Sequence, residues 1–396
     1  MQGKALAGLK VIDLTTTIAG PHCTRLLADL GADVIKIESP EGDMMRTRPP
    51  LRNGASGVFA YLNAGKRSVV LDLKDKTAVK AVRALAAAAD ILVENYRPGV
   101  TRRLGVDYPS LAEINPRLVY CSISGYGQTG PSAELAAYAP VIHAASGYDL
   151  AHMSYQPGRT QPDNCGVYIA DVLTGTYAFG AILAAVNQRH ATGKGQHVDV
   201  TMLESMLSLT LLETQAAQFQ MPPPPKRHQF SPVATKDGYI HIAIASERTF
   251  QGIAEAAGRL DWMTDPRFAV YIERRRNWAD FMDEIESWTR TLTSKDALAA
   301  LERHTVPASP YRTVKEVLDD PQLAHRQSLV EVSDKGGTFK ALNPPFQLSG
   351  SEVRIGGFVA TLGEHNAEVL ATSGLAAEEI ANTPHRRECR PTGEET

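Results

Sequence analysis

The sequence predicts an α/β protein in which a large domain is interrupted by a smaller α+β domain. Three features lead there. Short apolar strands alternate with helices over residues 9–124, four successive prolines at 222–225 break the chain, and the pattern after residue 353 returns to that of the first domain. Alternating strands and helices make a parallel sheet covered on both faces, and a proline run cannot continue a helix. A chain of 396 residues has room for two or three domains. The expected divisions are 1–221, 226–330 and a return segment, 331–396, that completes the first domain.

Residues 9–38 set the pattern, with a strand at 9–14, a turn at Ala19-Gly20-Pro21, a helix at 22–30 and a strand at 34–38. The turn lacks GxGxxG and carries no dinucleotide fingerprint. Gly20-Pro21 can open a helix whose unpaired first N–H groups accept phosphate, or can cap it with no ligand. The second unit has a strand at 68–73, a helix at 76–88 and a strand at 90–94 that runs into Asn95-Tyr96-Arg97. In open sheets ligands lie beyond the carboxyl ends of strands, where this loop falls. Lys66, Arg67, Arg97, Arg102 and Arg103 either gather round a polyphosphate or are separate surface cations.

The strand at 118–124 leads into a loop with Gly125, Gly127 and Gly130, a spacing that demands unusual backbone angles or close backbone approach. Residues 172–190 are alanine-rich and apolar nearly all round, which predicts a buried helix. A strand ending near 200 and a helical stretch at 202–220 follow. Beyond the prolines come a strand at 238–245 and helices over 248–304, where Trp278, Phe281, Ile285 and Trp288 recur at helical spacing as core. Asn343-Pro344-Pro345 is a second break before a final helix, and 385–396 reads as a frayed polar tail.

Composition excludes several classes. The 41 Lys and Arg against 44 Asp and Glu leave a formal charge of -3, without the basic face of a nucleic-acid binder. The N-terminus lacks the apolar core of a signal peptide, and no stretch approaches the ~18 apolar residues that span a bilayer. A cytoplasmic protein with no membrane partner is expected. Cys23, Cys121, Cys165 and Cys389 show no metal-ligand spacing and read as reduced thiols.

Asp171 is the residue that needs explaining. It stands between Val167, Tyr168, Ile169 and Val172, Leu173, where a core is expected, at or near the N-cap of the 172–190 helix. There the helix dipole and free N–H groups favour the charged carboxylate, while apolar neighbours disfavour it. A poorly hydrated carboxylate can act as a nucleophile. A plain capping aspartate accounts for the same residues.

Taken together, the motifs resemble the class III CoA-transferases, the CaiB/BaiF family of formyl-CoA transferase, carnitine CoA-transferase and α-methylacyl-CoA racemase. The resemblance runs nearly the whole length. It rests on Ala19-Gly20-Pro21, the segment 26–38, Gly42-Asp43, residues 63–67, Val93-Glu94-Asn95-Tyr96 with Pro98-Gly99, Ser124-Gly125-Tyr126-Gly127, the segment 192–196, residues 319–322 and Leu362-Gly363-Glu364-His365. It implies a large Rossmann-like domain, a smaller α+β domain and an interlocked homodimer.

The resemblance also places Asp171 at the family nucleophile and implies that CoA passes through an aspartyl-CoA thioester. The substrates are then an acyl-CoA donor and a carboxylic acid acceptor, small dicarboxylates such as succinate among them, with no metal or tightly bound cofactor. Positions matching the family's CoA contacts are Thr17, Ala19, Leu71, Asn95, Tyr96 and Arg103, with Arg103 as phosphate partner. Ile18 stands where formyl-CoA transferase has an amide side chain, and Ser39 where a basic residue is common.

The racemase branch pairs the aspartate with a histidine, whose place is held here by Tyr138. A phenol is a poor base at neutral pH, so transfer is favoured over α-proton chemistry. A third alternative is a nucleotide-binding α/β protein without covalent chemistry. His152, Arg159 and Arg312 are candidates for pairing with a distal carboxylate of the acid, or are surface residues.

Overall fold

The computed structural model describes residues 3–156, 158–163, 165–219 and 231–374. The proline run, the tail from 385 and Cys389 lie outside them. The chain forms two compact units. One holds the described residues up to Ala151, Gln161–Thr214 and those from Gln322 onward; the other holds the described residues of His152–Thr160 and Gln215–Pro321.

The first unit is built on six parallel strands: β1 (Lys10–Asp13), β2 (Asp33–Glu38), β3 (Arg67–Val70), β4 (Ile91–Glu94), β5 (Val119–Ser124) and β6 (His197–Thr201). They lie in the order β3-β2-β1-β4-β5-β6, the order of a Rossmann sheet. Successive side chains leave a strand on opposite faces, so each strand feeds two cores. Val11, Val34, Val93, Val119 and Cys121 pack with α1 (Ala19–Asp29) and the long helix α4 (Ile169–Thr192). Ile12, Ile35, Val69, Leu92 and Tyr120 pack on the other side with α2 (Lys76–Ala87).

Val369 and Leu370, from a short helix at Asn366–Ala371, join that second core. The free edge of β3 is closed by the same segment, with the Ser68 N–H on His365 Nδ1 (3.2 Å) and the Val70 N–H on Asn366 Oδ1 (2.8 Å). Covering an edge in this way removes a template for stray strand pairing.

Three expectations about helices need correction. The predicted turn at Ala19-Gly20-Pro21 is the first turn of α1, where proline is tolerated because its missing N–H would be unpaired anyway. The helix α4 is buried by this chain on one face only, through Ala170, Thr174, Gly175, Ala178, Ile182, Ala185, Val186 and Arg189, while Val172 and Tyr177 are exposed. It is also long and apolar enough to cross a membrane by length and composition, with mean hydropathy 1.7, contrary to the expectation that no stretch comes near. Here it lies against α1, β5 and β6, as core helices of that composition do.

The second unit has a three-stranded antiparallel sheet (Val233–Ala234, Tyr239–Ile242 and Ala308–Pro310) covered by the helices Glu247–Ala257, Trp278–Thr289 and Ser294–Arg303. Trp278, Phe281 and Ile285 lie in its core with Trp262 and Phe268, and Trp288 packs against them, as the helical spacing predicted.

Candidate active site

The strand order reverses between β1 and β4, and the loops leaving their carboxyl ends part to form a crevice, the usual ligand position in such sheets. Asn95 ties the two loops together. Its Oδ1 accepts from the Thr16 N–H (2.9 Å) and its Nδ2 donates to the Thr16 carbonyl (2.9 Å), so the side chain acts as a strand partner for the loop. A cavity of about 290 Å³ opens there, lined by Thr16, Thr17, Ala19, Met44, Asn95, Tyr96, Arg97, Ser124, Gly125, Tyr138, Asp171 and Met202, among others.

Asp171 reaches the cavity from the first turn of α4, but not as its cap. The N-cap is Tyr168, whose side chain makes no capping bond. The N–H of Ala170, which has no acceptor within the helix, is taken by Nε2 of the buried His143 (3.2 Å), on the helix α3 (Ala139–Ala145). The Asp171 carboxylate instead faces the N–H of Ala19, at the start of α1, which pulls its carboxyl down. Gly175, one turn along α4, makes this possible: a Cβ there would lie 2.4 Å from the Ala19 carbonyl oxygen and 3.1 Å from His22 Cδ2. Only glycine lets the two helices approach so closely.

Burial raises the Asp171 carboxyl from its ordinary 3.8 to about 6, against the pull of the Ala19 N–H. The positive end of α1 adds to that pull. At neutral pH the group is ionised and poorly hydrated, the condition in which a carboxylate is a usable nucleophile.

Beneath the Thr15–Ala19 loop lies a buried ionic network. Burial alone would raise Asp13, yet Lys66, Lys36 and the hydroxyls of Thr15 and Thr24 bring its carboxyl down to about 2. Lys66 Nζ is 3.0 Å from Asp13 and also meets Thr24, Asn63 and the Pro21 carbonyl. Lys36 pairs with Asp43 (3.1 Å) and donates to the Thr15 carbonyl (2.7 Å). Asp43 in turn accepts the N–H of Thr17 (3.2 Å) and that of Met45 (2.9 Å). Thr17 has φ +71°, a left-handed conformation that a β-branched residue adopts only where its surroundings compel it.

Of the residues picked out by sequence, Thr17, Ala19, Asn95, Tyr96, Tyr138 and Asp171 meet around this one cavity. Leu71 and Arg103 do not line it: Leu71 is core, just beyond β3, and Arg103 is exposed on the short helix Val100–Leu104. The five-cation cluster is dismantled. Lys66 is buried on Asp13, Arg67 pairs with Asp33 and Glu368, Arg102 stands 3.9 Å from Asp107, and Arg97 alone of the five lines the cavity. Ile18 is buried beside Met45 and Phe59, and Ser39 is exposed. Arg312 pairs with Asp320 in the second unit, which also holds His152 and Arg159. Sequence reasoning missed Met44, Met202 and His143 as parts of the site, and singled out Asp43 and Glu94 only as motif members.

Comparison with known proteins decides the family. The family model described as CoA-transferase family III matches residues 6–366. The chain belongs to CoA-transferase family III. A succinate–glutarate CoA-transferase of Agrobacterium fabrum is 34% identical over 92% of this chain and 95% of its own, and the human succinyl-CoA:glutarate CoA-transferase is 33% identical over 93% and 85%. A formyl-CoA:oxalate CoA-transferase of Streptomyces coelicolor is 32% identical over 96% and 98%. The crystal structure of a CaiB/BaiF family protein from Brucella suis superposes with a TM-score of 0.82 at 35% identity, over 94% of this chain and 100% of that one, and shares the mixed α/β fold with a parallel central sheet. As a class III CoA-transferase the protein uses a CoA thioester donor and a carboxylate acceptor.

Proposed function

We propose that this CoA-transferase moves CoA between dicarboxylic acids, with Asp171 as the covalent carrier. The observation that carries the proposal is the Asp171 carboxylate in the switch-point cavity, raised to about 6 and facing the N-terminus of α1. The acid class follows the names of the relatives, which act on succinate and glutarate.

An Asp171 oxygen attacks the donor's thioester carbonyl, the carbon–sulfur bond breaks, and CoA thiolate leaves a mixed anhydride. The thiolate attacks Asp171 Cγ and releases the donor acid, leaving an aspartyl-CoA thioester. The acceptor carboxylate attacks that thioester and expels thiolate again. The thiolate then takes the acceptor's acyl carbon from the second anhydride, which yields the new acyl-CoA and frees the Asp171 carboxylate. The Ala19 N–H and the α1 terminus are placed to stabilise negative charge developing on the aspartyl oxygens.

Thr17, Ala19, Asn95 and Tyr96 would hold the thioester end of CoA. Leu71 and Arg103, outside the cavity, would meet the nucleotide end. Tyr138 would offer its hydroxyl as a hydrogen-bond donor. Racemisation is disfavoured because His143 has Nε2 engaged by the Ala170 N–H. The exposed apolar side chains of Val167, Tyr168, Val172, Tyr177, Leu207 and Leu211 supply a face for a second copy, in keeping with an interlocked homodimer.

The test is incubation with succinyl-CoA, followed by hydroxylamine and by mass spectrometry of the Asp171 peptide. Inactivation by hydroxylamine and a CoA-sized adduct are expected. Turnover without an adduct, together with α-proton exchange in deuterated water, would sink the transfer mechanism in favour of racemisation.

A further inference from the structure

A buried carboxyl outside that ionic network sits beside the cavity loop, and the transfer mechanism does not use it. Glu94, the last residue of β4, is 2% exposed. Its carboxylate accepts the N–H of Tyr96 (2.9 Å), in the loop that lines the cavity. Beside it stands the side chain of Ser122, the residue opposite it on β5, whose hydroxyl pulls the Glu94 carboxyl down. The Ser122 hydroxyl lies 2.9 Å from His197 Nε2 on β6. His197 stacks on Tyr108 at 5.3 Å and is exposed at the sheet edge. A row of neighbouring polar groups therefore runs from solvent at His197 through Ser122 and Glu94 to the Tyr96 backbone.

Ser122 has one proton to give, so the line has two settings. With Glu94 ionised, Ser122 donates to Glu94 and accepts from a His197 N–H; the carboxylate also holds the Tyr96 N–H by a charge-assisted bond. With Glu94 protonated, its O–H donates to Ser122, Ser122 donates to His197, and the bond to Tyr96 falls to neutral strength. The titratable groups facing Glu94 are Asp199, Tyr96, Tyr120 and Cys121, none of them a cation. Burial, with Asp199 adding to it, moves the Glu94 carboxyl to about 7, so both settings are populated near neutrality.

We propose that Glu94 is a positioning residue whose protonation, relayed through Ser122 and His197, sets the Asn95-Tyr96-Arg97 loop and makes CoA binding at the cavity proton-dependent. This rests on the cavity being the CoA site.

The test uses the full-length Asp171→Asn protein, so that the nucleophile does not titrate, and measures the dissociation constant of CoA by calorimetry from about pH 5.5 to about pH 8.5. Binding should tighten about 10-fold as pH rises through about 7, the difference between a charged and a neutral hydrogen bond. Adding Glu94→Gln should flatten that component. Comparing the two profiles cancels the titration of CoA's own phosphate. Ser122→Ala should move the midpoint to higher pH, because it removes a donor to the carboxylate. A profile that neither substitution changes overturns the proposal while leaving CoA binding intact. No CoA binding at any pH overturns the assignment of the cavity, and this proposal with it.

Discussion

Replacing Gly175 with alanine should cost activity far more than stability. The new methyl would stand 2.4 Å from the Ala19 carbonyl oxygen, a backbone atom, and 3.1 Å from His22 Cδ2. Relief requires α4 to move off α1 by roughly 1 Å, since carbon contacts settle nearer 3.5 Å. Overpacking of that size costs about 1–3 kcal/mol, and alanine in a helix interior returns about 1 kcal/mol relative to glycine. The net loss is at most about 2 kcal/mol, a fall of a few degrees in Tm. The same shift draws the Asp171 carboxylate away from the Ala19 N–H, and misplacement by about 1 Å can cost about 100-fold in rate. Steady-state transfer from succinyl-CoA to glutarate, beside thermal unfolding, separates the two effects. Gly180→Ala is the control, because among the described residues nothing lies within 4 Å of a Cβ there; it should keep wild-type kcat. A Gly175→Ala enzyme with wild-type kcat would refute the claim that this helix approach positions the nucleophile.

Three further outcomes are expected. In the Glu94→Gln background, where Glu94 no longer titrates, the kcat/KM profile should fall on the acid side with a midpoint near 6, because the carboxylate proposed to attack must be ionised and its carboxyl is held at about 6; a midpoint near 4 would contradict that. Asp171→Asn should abolish turnover yet stabilise the fold: a folded value raised from 3.8 to about 6 means the native state favours the proton, so the penalty for the charge is absent below about 4 and reaches at most about 3 kcal/mol above about 6. Denaturant unfolding should show the gain at pH 8 and none at pH 4. Asp43→Ala should cost about 3–5 kcal/mol, since it strips a partner from buried Lys36 and leaves the Thr17 N–H without its acceptor; a loss under 1 kcal/mol in the same assay would show that the network does not hold the loop.

The sheet was legible because its strands carry their own signal: β1, β2, β4 and β5 fall within or next to the predicted runs, each an apolar stretch bounded by turn residues. What sequence could not show was pairing. Lys66 reads as one more surface cation beside Arg67, yet it is buried on Asp13, 53 residues away. Arg97 looks no different in sequence and lines the cavity. Periodicity reports which face of an element is covered, but not which charge meets it. The apolar outer face of α4 shows the same limit, since composition predicts burial without naming what covers it.

Asp171 makes the point sharpest. Local chemistry favours a cap, because aspartate near a helix start satisfies free N–H groups. In the fold that duty belongs to His143, which takes the Ala170 N–H and leaves the carboxylate free to turn to a different helix. A capping aspartate would be bound by its own helix and held well ionised. One that faces a single N–H of α1, inside a cavity, keeps its charge at some cost and retains the lone pairs a nucleophile would need. The signal that distinguishes the two is Gly175, one turn further on: a cap needs no glycine there, whereas a carboxylate aimed at the end of another helix does.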